Sequence, residues 1–185
     1  MHAKDLTKKE IENYIEEYEQ GWNTPDGVKD RETFEKINEA LLRNGFLNRE
    51  QLYKVARWKT PRASEIVKRT NTDSMVKSIT AFAVKLSEGK YKIRILCSLD
   101  GIGIPRASAI LAMSNLQRYG VIDINAWLTL TDKKKQGFSD NDWIWYLEQI
   151  RKLAKKHGKT PRQIDMALMK YGQKLMKHRR KKHGD

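Results

Sequence analysis

The sequence predicts an all-α fold, and three observations carry that prediction. Apolar residues return every three or four positions through most of the 185-residue chain, helix-start signals precede those runs, and no segment sustains the two-residue alternation of a strand. The length suits one compact domain, or two lobes sharing a core, since single domains mostly span roughly 100 to 200 residues.

The elements follow in order. Thr7-Lys8-Lys9-Glu10 is a capping box, and Ile11, Tyr14, Ile15 and Tyr18 then line one helical face up to Gly21. Trp22 to Gly27 is dense in turn formers and reads as a loop. Periodicity resumes with Phe34, Ile37, Ala40 and Leu41 and stops at Asn44-Gly45. Asn48 and Gln51 make a capping-box-like start for a third helix through Leu52 and Val55. Lys59-Thr60-Pro61-Arg62 and Lys159-Thr160-Pro161-Arg162 are the same tetrapeptide, each read as a Thr cap with Pro at the first helical position. The likeness stops there, which argues against an internal repeat. Asn71-Thr72-Asp73 is expected to cap a helix with Met75, Ile79, Phe82 and Leu86 on one face, ended by Gly89.

Tyr91 to Ser98 reads as a short helix, Leu99 to Gly103 as a tight hairpin, and Ile104 to Ser114 as a second helix built on Ala107, Ile110 and Leu111. After an extended link at Tyr119 to Ile122, Asp123 opens a helix carrying Ala126, Trp127 and Leu130. Ser139 caps another with Trp143, Leu147 and Ile150; Trp143, Trp145 and Tyr146 stand too close together for all three to lie on its buried stripe. The last helix, from Pro161, is expected to bury Ile164, Leu168, Tyr171 and Leu175. Residues 177–185 read as a frayed, solvated basic tail.

Charge narrows the partner. The chain has 37 Lys and Arg against 23 Asp and Glu, a formal net charge of +14, which favours a polyanion and nucleic acid first among polyanions. One cysteine, Cys97, excludes an intramolecular disulfide and a thiolate metal set. His2, His157, His178 and His183 have no metal-ligand spacing and read as solvated surface residues. With no apolar run long enough for a signal sequence or a membrane span, the expectation is a cytoplasmic protein, nucleoid-associated or nuclear according to host, not secreted and without a membrane partner.

The segment from Leu99 to Ile110 places Gly-x-Gly between two short helices. Two glycines permit positive φ and close backbone approach, and the amides opening the second helix carry the positive end of its dipole, so a phosphate fits there. An ordinary helix–helix turn also fits. The pattern Leu99-x-Gly101-Ile102-Gly103-x-x-x-Ala107-x-x-Ile110, followed by Val121-Ile122-Asp123, resembles the helix-hairpin-helix, Gly-Pro-Asp (HhH-GPD) superfamily of DNA glycosylases, which includes endonuclease III. The core motif covers about thirty residues, and the helix count on either side looks like the family plan.

The resemblance implies a two-lobed, all-helical HhH-GPD fold for 1–185. Residues 28–132 would form a helical barrel lobe with the hairpin motif at 91–115, and 1–27 with 133–176 the second lobe. It implies an enzyme that flips a damaged or mismatched base out of double-stranded DNA and hydrolyses its N-glycosidic bond. A monomer is the expectation for the chain itself. Asp123 would be the catalytic carboxylate, stabilising an oxocarbenium-like transition state, although Asp123 also reads as a plain N-cap for the helix at Ile124. Gly101, Ile102, Gly103, Ile104 and Arg106 would bind the DNA backbone. The strand-cleaving members place a nucleophilic lysine where this chain has Pro105, so the resemblance implies a monofunctional enzyme using water unless another lysine reaches in. The family's iron–sulfur cysteines are absent, so no cofactor is implied beyond a monovalent cation (Na+ or K+) on the carbonyls of Leu99 and Gly101. The resemblance also marks Asp165 as the family's last-helix aspartate, read as structural. Trp58 and Trp22 are candidates for the base pocket, and Arg57, Lys59 and Arg62 for phosphate contact, beside plain packing and solvated-turn roles for each. The alternative function is a non-catalytic helix-hairpin-helix DNA-binding protein; a basic RNA-associated protein is the third class.

Overall fold

The structure, a computed structural model, describes residues 5–87 and 89–183; His2 and the end of the basic tail lie outside them. The described residues form helices joined by turns and loops, with no strand among them. The helices are α1 (Lys8–Gln20), α2 (Pro25–Asn44), α3 (Arg49–Lys59), α4 (Glu65–Thr70), α5 (Asp73–Lys85), α6 (Gly89–Leu96), α7 (Ile104–Ser114), α8 (Ile124–Thr131), α9 (Asp140–His157) and α10 (Pro161–His183).

Local chemistry explains most starts. Thr7 with Glu10, Asn48 with Gln51 and Ser139 with Asp142 close reciprocal capping boxes that satisfy the first amides of α1, α3 and α9. Between α1 and α2 the expected loop is shorter than the turn formers suggest. Residues Gly21–Asn23 make one 3-10 turn, and Thr24 accepts from the Gly27 amide with Pro25 opening α2.

The core is one cluster running from Leu6 to Tyr171. The α10 helix packs along α8, α1 and α9; α7 lies against α2, α3, α6 and α9. Where α10 crosses α8, a Cβ on Gly172 would overlap the Asn125 backbone carbonyl, so a glycine lets α10 approach α8. The α8 helix therefore packs chiefly on a helix beyond residue 132, across the boundary expected between the lobes.

Four expectations are corrected. Thr60 ends α3 as its C-cap and α4 begins only at Glu65, so the first tetrapeptide is not a helix start. On α5 the buried positions are Val76, Thr80 and Ala83, while Met75 and Phe82 are exposed and Gly89 opens the next helix. The small residues face inward because α5 packs on α3 and α6, where Thr80 Oγ1 also accepts the Leu47 amide at 2.9 Å. His157 is buried near the end of α9, its Nε2 without a hydrogen-bond partner among the described residues. Finally, α10 continues through His183, so the basic run up to that residue is helical, and Arg179 pairs with Asp132.

Candidate nucleic-acid interface and catalytic site

The hairpin between α6 and α7 is held from three sides. Its turn is closed by the Ile102 amide donating to the Leu99 carbonyl at 3.0 Å, and Gly101 sits at φ +77°, where a Cβ would also strike Ile66 and Val67. Asn71, buried before α5, donates to the Asp100 carbonyl at 3.0 Å, accepts the Asp100 amide at 3.0 Å and donates to the Val67 carbonyl at 2.8 Å. Such a reciprocal pair locks the turn without any regular structure. Gly103 is the N-cap of α7 and supplies no side-chain cap to the amides that follow, and Pro105 occupies the first turn.

Arg106 departs from its expected role as a surface phosphate ligand. It is buried, and its guanidinium donates to the carbonyls of Gly101 at 2.6 Å, Thr60 at 2.7 Å and Arg62 at 2.8 Å. The residue ties the hairpin to the turn after α3. Arg106 already brings positive charge to the Gly101 carbonyl, and the Leu99 carbonyl accepts from Ile102, which disfavours a further cation on that pair. Among the described residues no group of three or more His, Cys, Asp or Glu side chains could hold a metal ion. No described helix is long and apolar enough to cross a membrane.

Beyond α7 the chain makes a turn at 115–119 and then runs extended into Asp123, and side chains from three helices satisfy the backbone of that extended run. Asp165 on α10 accepts the Val121 amide at 2.7 Å, Ser108 on α7 accepts the Ile122 amide at 3.1 Å, and Tyr146 on α9 donates to the Val121 carbonyl at 3.2 Å. Asp165 is itself buried and paired with Arg162. Burial opposes the charge on Arg162, but Asp165 and Tyr18 more than restore it.

Asp123 is the N-cap of α8. Its Oδ1 accepts the Asn125 amide at 2.8 Å, and its Oδ2 accepts from Lys59 Nζ at 3.1 Å. Both side chains are largely shielded, with Lys59 12% and Asp123 22% exposed. Burial pushes the Asp123 carboxyl up, but the Lys59 charge and the Asn125 amide outweigh it and hold the group below its ordinary value. Asp123 is therefore an anion at neutral pH.

The structure brings together Lys59 and Asp123, from helices far apart in the chain. It does not bring the other aromatic and basic candidates into contact with Asp123. Arg57 and half-buried Trp58 line a cleft of about 540 Å³ with Asp30, Thr33 and Tyr53, in which Asp123 takes no part. Trp58 also packs on Phe34, with Arg162 over its ring. Trp22 packs edge-on against Tyr18 at the corner of α1, and Arg62 is exposed. Asn71 escaped the sequence reading because it resembles a helix cap, and its true partner, Asp100, lies 29 positions away. In the sequence Lys59 is a phosphate-contact candidate beside Arg57 and Arg62, and nothing there signals its pairing with Asp123.

Comparison with protein-family models, with curated proteins and with solved structures found no match to this chain.

Proposed function

We propose that this chain belongs to the class of helix-hairpin-helix DNA-binding proteins. Within that class we read it as an HhH-GPD-type DNA glycosylase that removes a damaged or mismatched base by hydrolysing its N-glycosidic bond. The observation that supports this most is Asp123, an anion at the mouth of α8 with three helices bracing the two residues before it. As the base leaves, positive charge develops on the sugar, and a fixed, shielded carboxylate stabilises that charge and orients the attacking water. A carboxylate held in place needs no reorganisation at that moment, which is what the bracing provides.

DNA would be held by sequence-independent contacts. The Gly101–Ile104 turn, with the uncapped amides that open α7, would meet backbone phosphates, and the net charge of +14 would supply counterion release. Under this reading residues 28–132 and the remaining helices act as two lobes, the base entering between them, and the protein works as a monomer. Pro105 leaves the hairpin without an amine, so base release there uses water.

A second reading is a DNA-binding protein without catalysis. It is favoured by the engagement of both Asp123 oxygens, one by the Asn125 amide and one by Lys59, as a purely structural cap would be. Base release from duplexes that each carry one uracil, oxidised purine, alkylated purine or mismatch separates the two. The glycosylase reading predicts release from at least one duplex by the wild type, with strand breaks after hot alkali. Tight, salt-dependent binding with no release from any duplex would transfer the function to the second reading.

A further inference from the structure

At the start of α9 two cations have carboxylate partners: Arg94 pairs with Asp140 and Lys135 with Asp142. Further along the helix the matching stops. A cleft of about 530 Å³ opens between the start of α6, the turn after α7 and one face of α9, and Lys90, Arg118 and Arg151 line it. None of the three forms an ion pair among the described residues, and neither does Glu148, the acidic side chain described along the same wall. Arg151 is nevertheless fixed. Its Nε and Nη2 donate to the Arg118 carbonyl at 3.0 and 2.9 Å, and its guanidinium lies 5.7 Å from the centre of the Tyr119 ring, which stacks on buried Trp143. Lys90 Nζ donates to Asn141 Oδ1 at 3.1 Å. Both cations keep further donors to offer, and the Arg118 guanidinium keeps all of its own.

The crowding shows in the electrostatics. Burial pulls down the pKa of Arg151, and also that of buried Lys92 on α6, and the Arg118 charge pulls both down further; Tyr119 and Glu148 offset part of this at Arg151. An anion entering the cleft relieves that repulsion. A solvated basic face needs neither a cleft nor a fixed guanidinium. We infer that this cleft is a phosphate site, in which Arg118, Arg151 and Lys90 take the oxygens of a phosphate monoester of nucleotide size.

The chemistry of the wall selects that ligand. A carboxylate has two oxygens and one charge, too few for three cations, whereas a phosphate monoester brings three terminal oxygens and close to two charges. The cleft falls within the roughly 300–1,000 Å³ span of small-molecule sites, and Ile144 and Leu147 add apolar lining beside the charges, which suits a phosphate joined to an organic group. The site lies at the opposite end of the α6–α7 pair from the Gly101 turn, roughly 12 Å along α6 at about 1.5 Å per residue. It is therefore separate from the hairpin, and its occupancy is independent of what Asp123 does. Two sources carry this chemistry: a free nucleotide, or the 5′-terminal phosphate of a broken strand.

Calorimetric titration of the full chain tests the site with two pairs of probes. One pair is 2′-deoxyadenosine 5′-monophosphate against 2′-deoxyadenosine; the other is a gapped duplex whose gap carries a 5′-phosphate against the same duplex with a 5′-hydroxyl. Arg118→Gln removes a guanidinium that makes no hydrogen bond or ion pair among the described residues, so the fold is expected to stand. Lys134→Gln removes one exposed charge from the loop after α8 and controls for overall charge. The wild type is expected to prefer the phosphate-bearing member of at least one pair. Arg118→Gln should weaken that binding by about tenfold or more, the loss expected from one or two charge-assisted hydrogen bonds, while Lys134→Gln leaves it unchanged. Preference in the first pair alone assigns the site to a free nucleotide, and preference in the second alone assigns it to a strand end. A wild type that distinguishes neither pair, a phosphate preference that survives Arg118→Gln, or equal losses in the two variants would overturn the inference.

Discussion

Two identical tetrapeptides meet opposite fates in this molecule. Lys159-Thr160-Pro161-Arg162 opens α10: Thr160 and Gln163 exchange capping hydrogen bonds at 3.1 and 3.0 Å, and Pro161 begins the helix. Lys59-Thr60-Pro61-Arg62 closes α3 instead, with Thr60 as its C-cap and Ala63 at φ +56° in the turn that follows. The residue three positions after the threonine makes the difference. Gln163 can reach back to the cap amide, whereas Ala63 has nothing to return. The arginines diverge in turn: Arg162 is buried on Asp165, with Tyr18, Phe34 and Trp58 around it, while Arg62 is exposed and offers only its carbonyl, to Arg106. Local sequence proposes a helix start, and the cap's partner together with tertiary packing decides whether it forms.

The two tetrapeptides differ most at their arginines. Arg162→Gln leaves Asp165 buried beside the Val121 amide without its cation and is expected to cost about 3–5 kcal/mol in chemical denaturation. Lys159→Gln should cost far less, because the Lys159–Glu12 pair is only half-buried. Equal losses in the two variants would show that Arg162 does not hold Asp165 in place. Next in size is Arg106→Met, which deprives three carbonyls of a charged donor and should cost on the order of 3 kcal/mol. Hydrogen exchange in this variant should rise at residues 60–62 and at the hairpin together; a rise at only one of them would mean that the two are held separately.

Smaller effects sharpen the contrast between the caps. Gln163→Ala should destabilise by about 1 kcal/mol through loss of the reciprocal cap. Ala63→Gly should stabilise by up to about 1 kcal/mol, since glycine accepts positive φ without the Cβ penalty. A destabilising Ala63→Gly would place the control of that turn elsewhere.

Much of the helical scaffold can be read in the sequence, because a cap and its partner lie three residues apart. Thr7 with Glu10, Asn48 with Gln51, and the bounds of α7 are local features and were accessible to local reasoning. The candidate site was legible in part. Asp123 stands out only through the resemblance of its surroundings to the HhH-GPD pattern, and its ion pair with Lys59 spans 64 positions while the Asn71 brace spans 29. Nothing in a neighbouring residue signals either of them. The error on α5 has a different origin: large apolar residues at helical spacing suggested a core face, while close packing selected Val76, Thr80 and Ala83. Hydrophobicity reports what gains by burial, and steric room reports what fits.

The lysines of the two tetrapeptides extend the comparison to pH. Lys59 helps hold the Asp123 carboxyl below 3.8, its ordinary value in the unfolded chain. The stabilisation from that depression is complete above 3.8 and is lost as the pH falls through the lower folded value. Base release should consequently show no acid limb from Asp123 down to about pH 4. In Lys59→Gln burial acts with less opposition, so the limb should move upward; a limb that stays in place would mean that Lys59 does not tune the carboxylate.

Under the glycosylase proposal, Asp123 acts as an anion on the sugar during base release. Single-turnover release by the wild type and by Asp123→Asn, with binding measured on the same duplexes, tests it most directly. The variant is expected to bind as the wild type does while its rate falls by about 10²–10³-fold, the loss typical of removing one fixed electrostatic group. Release at an undiminished rate by Asp123→Asn would contradict it and return Asp123 to the role of a helix cap.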